Sequence, residues 1–210
     1  KILGKPNGKY QDLKICLITP NVIASSTQIR RVQPPLGIAC LAAILEEYNF
    51  TNLQIIDSSA EGYNNVEDLG DGFVEFGLSD DIVIEKILKF KPKIIGLSAL
   101  FSSQIGCAFR LAKKIKSELP ESIIFFGGIH ATKKSNQLLK EESYIDYILE
   151  GEADYTLTLF CKKFINNEDI TSVPGLVWRD KKNPKKISSN PQLPGLDMNE
   201  LPFPAWHLMD

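Results

Sequence analysis

The sequence predicts an α/β protein whose core is a doubly wound, flavodoxin-like (Rossmann-like) sheet of five parallel strands. Short apolar runs alternate along the chain with longer segments whose apolar residues recur at helical spacing. The runs are mostly apolar, as expected for strands that are buried on both faces of a parallel sheet. A chain of 210 residues, 43% hydrophobic and 24% charged, can form one such core and a small appendage.

The apolar runs give the predicted strands, and the periodic segments give the predicted helices. The strands are residues 13–19, 53–56, 93–98, 122–126 and 144–149. The helices are residues 36–48, 80–90, 105–119, 133–142 and 154–166.

Local signals fix several helix ends. Pro35 suits a helix start, because its missing N–H would have had no partner there. Ser79 is the expected N-cap of the second helix, and Pro120 ends the third. Residues 61–79 are polar and glycine-rich, and we expect a long loop.

The C-terminal part differs in composition from the rest. We expect residues 1–166 to form one domain and residues 167–210 to form an appendage to it. Residues 175–179 and 185–188 predict a small β-hairpin, and the proline- and aromatic-rich residues 201–206 predict an extended segment that packs on another surface.

Composition excludes several classes of function. The net charge of −2 predicts no nucleic-acid partner, and no apolar run is long enough to span a membrane. No signal peptide is visible, so we expect a cytoplasmic protein. The four cysteines are too far apart for a metal cluster. We expect the cysteines to be buried, reduced thiols, and Cys107, near a predicted helix start, is the one to test for reactivity.

Small and polar residues follow four of the predicted strands. The carboxyl ends of parallel strands meet at one edge of a sheet, where doubly wound domains bind their ligands. The set is rich in Ser, Gly and backbone amides and poor in general bases, which suits holding a large polar cofactor better than it suits hydrolysis. The stretches are residues 57–62, 98–104, 127–132 and 150–154.

Three of these stretches resemble the cobalamin-binding domain of methionine synthase, corrinoid mutases and cobalamin-dependent radical SAM enzymes. That family carries D-x-H-x-x-G, then S-x-L, then a Gly-Gly pair roughly 26–28 residues later. Here S-x-L is residues 98–100, the 26 residues 101–126 follow it, and Gly127-Gly128 is the pair. Asp57, Ser59 and Gly62 stand in the first motif, with serine in place of the histidine that ligates cobalt.

The missing histidine is typical of the radical SAM branch. Further stretches resemble that branch, among them PPLGIACLAAILEE, GGIHAT, ILEGEADYTL and LPFPAW. The resemblance spans residues 13–206 and implies the amino-terminal half of a longer methyltransferase or ring cyclase. The implied [4Fe-4S] cluster and S-adenosylmethionine would belong to the other half, since the chain has no C-x-x-x-C-x-x-C motif.

The resemblance also implies roles for individual residues. Cobalamin would bind base-off, with its nucleotide tail beside Ser98 and in the space left by Gly127 and Gly128, and with Ser59 beneath the corrin. His130 is a weak candidate for a cobalt ligand. The cofactor-binding residues implied are Asp57, Ser59, Gly62, Ser98, Leu100, Phe101, Ser102, Ser103, Gln104, Gly127, Gly128, His130, Glu150, Gly151 and Glu152.

Two alternatives of other classes remain open at this point. A flavodoxin-like domain could bind FMN, for which Ser25-Ser26-Thr27 is a faint phosphate-loop candidate. A response regulator would need an acidic cluster after the first strand, where Pro20-Asn21 stands instead. A corrinoid-fold domain could also serve as a docking module that holds no cofactor.

Overall fold

The computed structural model describes residues 3, 10–98, 100–180, 182–194 and 197–209. The helices are α1 (Leu36–Glu47), α2 (Ser58–Glu61), α3 (Asp80–Phe90), α4 (Ser102–Glu118), α5 (Ile129–Glu141) and α6 (Asp154–Ile165). The strands are β1 (Ile15–Thr19), β2 (Val22–Ser25), β3 (Leu53–Asp57), β4 (Val66–Gly70), β5 (Phe73–Phe76), β6 (Ile94–Ser98), β7 (Ile123–Gly127), β8 (Tyr147–Leu149), β9 (Leu176–Arg179) and β10 (Ile187–Ser189).

The main sheet has seven strands in the order β10-β9-β8-β7-β6-β1-β3. Its five parallel strands, β3-β1-β6-β7-β8, confirm the predicted doubly wound arrangement and leave the topological switch point between β1 and β6. The strand count differs from the predicted five because the C-terminal hairpin joins this sheet. β9 pairs antiparallel with β8, which covers an edge that would otherwise expose unpaired backbone groups.

Helices cover both faces of the sheet, and side chains that alternate along each strand divide into two cores. One core packs α1 and α6 against residues such as Leu17 and Phe125. The other packs α3, α4 and α5 against residues such as Ile95 and Ile124. We call the first the α1/α6 face and the second the α4/α5 face.

The prediction of a long loop at residues 61–79 is wrong. This segment contains α2's last residue, β4 and β5, and these two strands form a three-stranded antiparallel sheet with β2. Asp71 and Gly72 make the β4–β5 turn, both at positive φ (50° and 79°), which is the conformation that an Asp-Gly hairpin turn requires. The Asp-Gly pair was the signal that could have identified the hairpin.

Two helices begin earlier than predicted, at Ser102 rather than residue 105 and at Ile129 rather than residue 133. The side chain of Gln104 accepts from the backbone N–H of Phe101 at 3.3 Å and closes the start of α4. Gly128 precedes α5 at φ 98°, and its carbonyl accepts from the N–H of Thr132. Residues expected in open loops therefore lie in first helical turns. β8 is shorter than the predicted strand.

The proline- and aromatic-rich segment packs along α1. The N–H of Ala205 donates to the carbonyl of Ala39 at 3.0 Å, and His207 Nε2 lies 3.1 Å from Glu46 Oε1. Phe203 is 97% exposed. Within the described ranges, no helix is both long and apolar enough to cross a membrane.

Candidate functional site

A cavity of about 370 Å³ lies on the α1/α6 face, beneath the carboxyl ends of β6, β7 and β8. Its volume falls in the range of small-molecule sites. The lining is mostly apolar, with a few polar groups at its mouth. The sheet and the ends of its strands contribute Leu17, Gly96, Leu97, Ser98, Leu100, Phe125, Phe126, Gly127, Gly128, Leu149, Gly151, Glu152 and Ala153. The helices contribute Gly37, Ile38, Leu41, Ile129, Thr132, Lys133, Asp154 and Leu157.

Small residues in the strands open this cavity. The strand register places Leu17 beside Gly96, and Ser98 beside Gly127. A Cβ added to Gly127 would have no atom within 4 Å, so this position faces open space rather than packed core. Glycine inside a strand typically marks a place that something else approaches closely.

Among the predicted site residues 98–104, some line the cavity and others lie on the rim above it. Ser98 and Leu100 line the cavity, whereas Ala99 lies outside the described residues. Phe101, Ser102 and Ser103 are exposed on the rim, and Gln104 is buried as the helix-start acceptor described above. Gln104 therefore stabilises the start of α4, a structural role that the sequence did not predict.

His130 lies on the same rim, in the first turn of α5. Its Nδ1 is 3.1 Å from the hydroxyl oxygen of Ser102, and the residue does not line the cavity. This hydrogen bond ties the start of α5 to the start of α4.

The loop after β8 closes another side of the cavity. Gly151, at φ 71°, and Glu152 line it, and the N–H of Gly151 donates to Thr132 Oγ1 at 3.1 Å. The carboxylate of Glu150 accepts instead from Ser135 and Gln192, so it fastens the loop to α5 and to the C-terminal segment.

The turn formed by residues 57–62 begins at the end of β3, at the carboxyl edge of the sheet, and does not line the cavity. Asp57 caps α2 by accepting from the N–H of Ala60 at 3.2 Å, and its Oδ1 also accepts from the hydroxyl of Ser59 at 2.9 Å. Burial raises the pKa of Asp57 above its ordinary value, and the two hydrogen bonds partly offset this. A Cβ on Gly62 would come within 2.0 Å of the Gly77 carbonyl carbon, so close backbone approach requires glycine there.

A buried polar network supports this turn, and sequence reasoning missed it. Ser58 donates to Asn21 Oδ1, and Asn21 Nδ2 donates to Glu75 Oε1 at 2.8 Å. Arg110 then binds Glu75 with two nitrogens and also binds Asp80. These groups come from β5 and α4, from the first residues of α2 and α3, and from the residue just before β2. No local sequence pattern connects them.

Cys107, the thiol that the sequence singles out for a test of reactivity, is buried in α4. Burial, followed by the nearby Glu75 carboxylate, raises the pKa of Cys107 to about 12, so this thiol lacks the lowered pKa that a reactive cysteine has. Across the described part of the chain, no three His, Cys, Asp or Glu side chains are grouped to hold a metal ion.

The residues suggested for an FMN phosphate loop belong to the smaller sheet. Ser25 ends β2, and its hydroxyl lies 3.0 Å from that of Thr27 in an exposed turn. This turn does not open a helix, whereas phosphate-binding loops commonly use backbone N–H groups at a helix start.

Comparison with known proteins identifies the class to which this fold and cavity belong. Residues 26–160 match the family model of the B12 binding domain, and the chain belongs to that family. Its cofactor is cobalamin, and the mostly apolar cavity, with open space at Gly127 and Ser98 in its lining, has room for a flat apolar group.

Particular relatives cover most of this chain. It is 30% identical, over 98% of its length, to cytidylyl-2-hydroxyethylphosphonate methyltransferase of Streptomyces wedmorensis. It is also 30% identical, over 69% of its length, to the anaerobic magnesium-protoporphyrin IX monomethyl ester cyclase of Rubrivivax gelatinosus. The chain spans 42% and 23% of these two relatives, respectively.

A solved structure shares the fold. The cobalamin-dependent S-adenosylmethionine radical enzyme OxsB, with aqua-cobalamin and S-adenosylmethionine bound, superposes with a TM-score of 0.71 at 20% identity. The match covers 93% of this chain and 24% of OxsB.

Proposed function

We propose that this chain holds cobalamin base-off, without a histidine lower ligand, as the cofactor domain of a radical SAM methyltransferase or ring cyclase. The observation that carries the proposal is the cavity beneath the carboxyl edge of the sheet, opened by Gly127 and lined by Ser98. In the base-off form, the benzimidazole of the nucleotide tail is released from cobalt and needs a separate apolar slot.

The cavity residues would bind the nucleotide tail. Ser98 would donate a hydrogen bond to it, and Gly127 and Gly128 would leave room for the ring. The corrin would then lie over the rim formed by residues 100–104, His130 and the loop of residues 150–152. Exposed apolar side chains on that rim, including Phe101 and Ile129, suit contact with the macrocycle.

The turn of residues 57–62 would lie under the corrin without ligating cobalt. The Ser59 hydroxyl donates to Asp57 and is buried, and a hydroxyl is in any case a weaker ligand than imidazole. His130 is the only imidazole near this edge among the described residues, and its Nδ1 is engaged with Ser102. We assign it to the rim rather than to the metal.

The relatives support a proposal for the rest of the enzyme. Bound cobalamin would supply the cobalt chemistry, and this chain's residues would position it and shape its surroundings. The [4Fe-4S] cluster and S-adenosylmethionine would sit in a radical SAM domain reached through residues 167–210, leaving residues 1–166 as the cofactor domain. A cytoplasmic location fits the four free cysteines.

The test is incubation of the chain with hydroxocobalamin, desalting, and an absorption spectrum across the corrin bands. We expect roughly one retained cobalamin per chain, with the spectrum of the base-off form. Ser59→His should move the spectrum toward nitrogen ligation. If no cobalamin is retained at tens of micromolar, either the rest of the enzyme supplies part of the site or the docking-module alternative holds, and the same measurement on the full-length protein separates the two.

A further inference from the structure

Two buried side-chain oxygens in the described ranges have no hydrogen-bond partner: Oγ1 of Thr19 and Oγ1 of Thr156. Thr19 is 8% exposed and Thr156 is 1% exposed. Nearly all buried hydroxyls in proteins have a partner, so an unpaired one requires an explanation. A ligand that enters the site can supply the missing partner.

Thr19 occupies a particular position relative to the cavity. It is the last residue of β1, and it is two residues beyond Leu17, which lines the cavity. Side chains alternate along a strand, so Thr19 lies on the same α1/α6 face. The register pairs Ile18 with Leu97, and the next position on each strand is Thr19 on β1 and Ser98 on β6. Two hydroxyl residues therefore stand side by side at the carboxyl edge.

Thr156 does not stand beside Ser98. It lies in α6 rather than at the end of a strand, and neither Thr156 nor Thr19 is itself one of the residues that line the cavity. The two threonines are otherwise alike, since each is buried and each has an unpaired hydroxyl. Thr156 is thus a matched control for Thr19.

We propose that Thr19 is a second hydrogen-bonding residue for the nucleotide tail of cobalamin, acting beside Ser98. The tail carries a ring nitrogen, a ribose and a phosphate, all of which accept hydrogen bonds, and the threonine hydroxyl can donate one by rotation about χ1. This assignment rests on the proposed function and adds a residue that lies in none of the three sequence motifs.

The experiment compares Thr19→Val, Thr19→Ser and Thr156→Val with the unaltered chain. Valine keeps the shape of threonine and removes the hydroxyl, and serine keeps the hydroxyl. Each protein is titrated with hydroxocobalamin and with cobinamide, which has the same corrin but no nucleotide tail. Urea unfolding of each cofactor-free protein reports the stability of the fold.

We expect Thr19→Val to weaken cobalamin binding about three- to tenfold, the effect of one lost hydrogen bond. Its affinity for cobinamide should not change. Thr19→Ser should retain most of the cobalamin affinity, and Thr156→Val should alter neither affinity. Both valine variants should be at least as stable in urea as the unaltered chain, because each removes an unpaired buried hydroxyl.

Three results would overturn the assignment: unchanged cobalamin affinity in Thr19→Val, an equal loss for cobinamide, or an equal loss in Thr156→Val. Each of these leaves the proposed function standing if the unaltered chain binds cobalamin. Failure of the full-length protein to bind cobalamin would remove both proposals together.

Discussion

The two faces of the main sheet are built from the same strands but packed differently. On the α4/α5 face, Ile18, Ile95 and Ile124 are completely buried against helices. On the α1/α6 face, the neighbouring positions in β6 and β7 include Gly96 and Gly127, and a cavity lies above them. Successive residues of one strand therefore face a tightly packed core on one side of the sheet and the cavity on the other.

This difference shows that the stability of the fold and the volume of the cavity depend on residues on opposite faces of the same strands. Branched apolar side chains on one face provide the packing that stabilises the sheet. Small residues on the other face leave space unfilled, and this space forms the cavity. A substitution should accordingly change stability on the first face and cofactor affinity on the second.

Filling the cavity should have the largest effect on function. Gly127→Val places a branched side chain where a Cβ meets nothing within 4 Å, so the fold should tolerate it. The side chain would occupy the space proposed for the nucleotide tail, and we expect at least about a hundredfold loss of cobalamin affinity, or about 2.7 kcal/mol. Retention of hydroxocobalamin after desalting measures this.

A matched pair of alanine variants controls for the loss of glycine. A Cβ at Gly106, on α4, also meets nothing within 4 Å. Gly106→Ala should bind cobalamin normally, whereas Gly127→Ala should bind it more weakly. Equal retention by Gly127→Val and the unaltered chain would show that the tail does not use this cavity.

The sequence predicted best those parts of the structure that depend on residues close together in the chain. Apolar runs and helical periodicity predicted the parallel strands and their helices, and the resemblance at residues 98–100 and 127–128 pointed to the edge where the cavity lies. The hairpin at β4 and β5 was missed because the polar and glycine content of residues 61–79 outweighed the Asp71-Gly72 signal. The network of Asn21, Glu75 and Arg110 could not be predicted, since only the tertiary fold brings these residues together.

Truncation on the α4/α5 face should affect stability rather than binding. Ile124 is completely buried in β7, and Ile124→Ala should lower the free energy of unfolding by about 2–5 kcal/mol. Ile124→Val should cost about 0.5–1.5 kcal/mol. Urea unfolding measures both, and the folded fraction of each variant should keep the cobalamin affinity of the unaltered chain. A selective loss of affinity in Ile124→Val would mean that the two faces are not independent.

A smaller effect than that of Ile124→Ala concerns the attachment of the three-stranded sheet beside the α4/α5 face. Burial opposes ionisation of Glu75 and Asp80, but hydrogen bonds from Arg110 outweigh it, and the pKa of each carboxyl lies below its ordinary value. A carboxyl whose pKa is lowered by folding stabilises the fold above its unfolded pKa, and this contribution is lost as the pH falls through the folded pKa. The contribution is therefore complete near pH 7 and declines below about pH 4.5, the ordinary value for Glu75.

Replacing Arg110 should remove this pH-dependent contribution. Because Arg110 is partly exposed, we expect Arg110→Met to cost only about 1–2 kcal/mol at pH 7. In urea unfolding, the difference between the variant and the unaltered chain should shrink as the pH falls from 5 toward 3.5. The raised pKa of Asp57 acts in the opposite direction but is common to both proteins. Lys114→Met, which removes an exposed lysine 3.3 Å from Asp80, should cost less than about 0.5 kcal/mol. A difference for Arg110→Met that stays constant with pH would show that packing of the arginine stem, rather than its charge, attaches the three-stranded sheet.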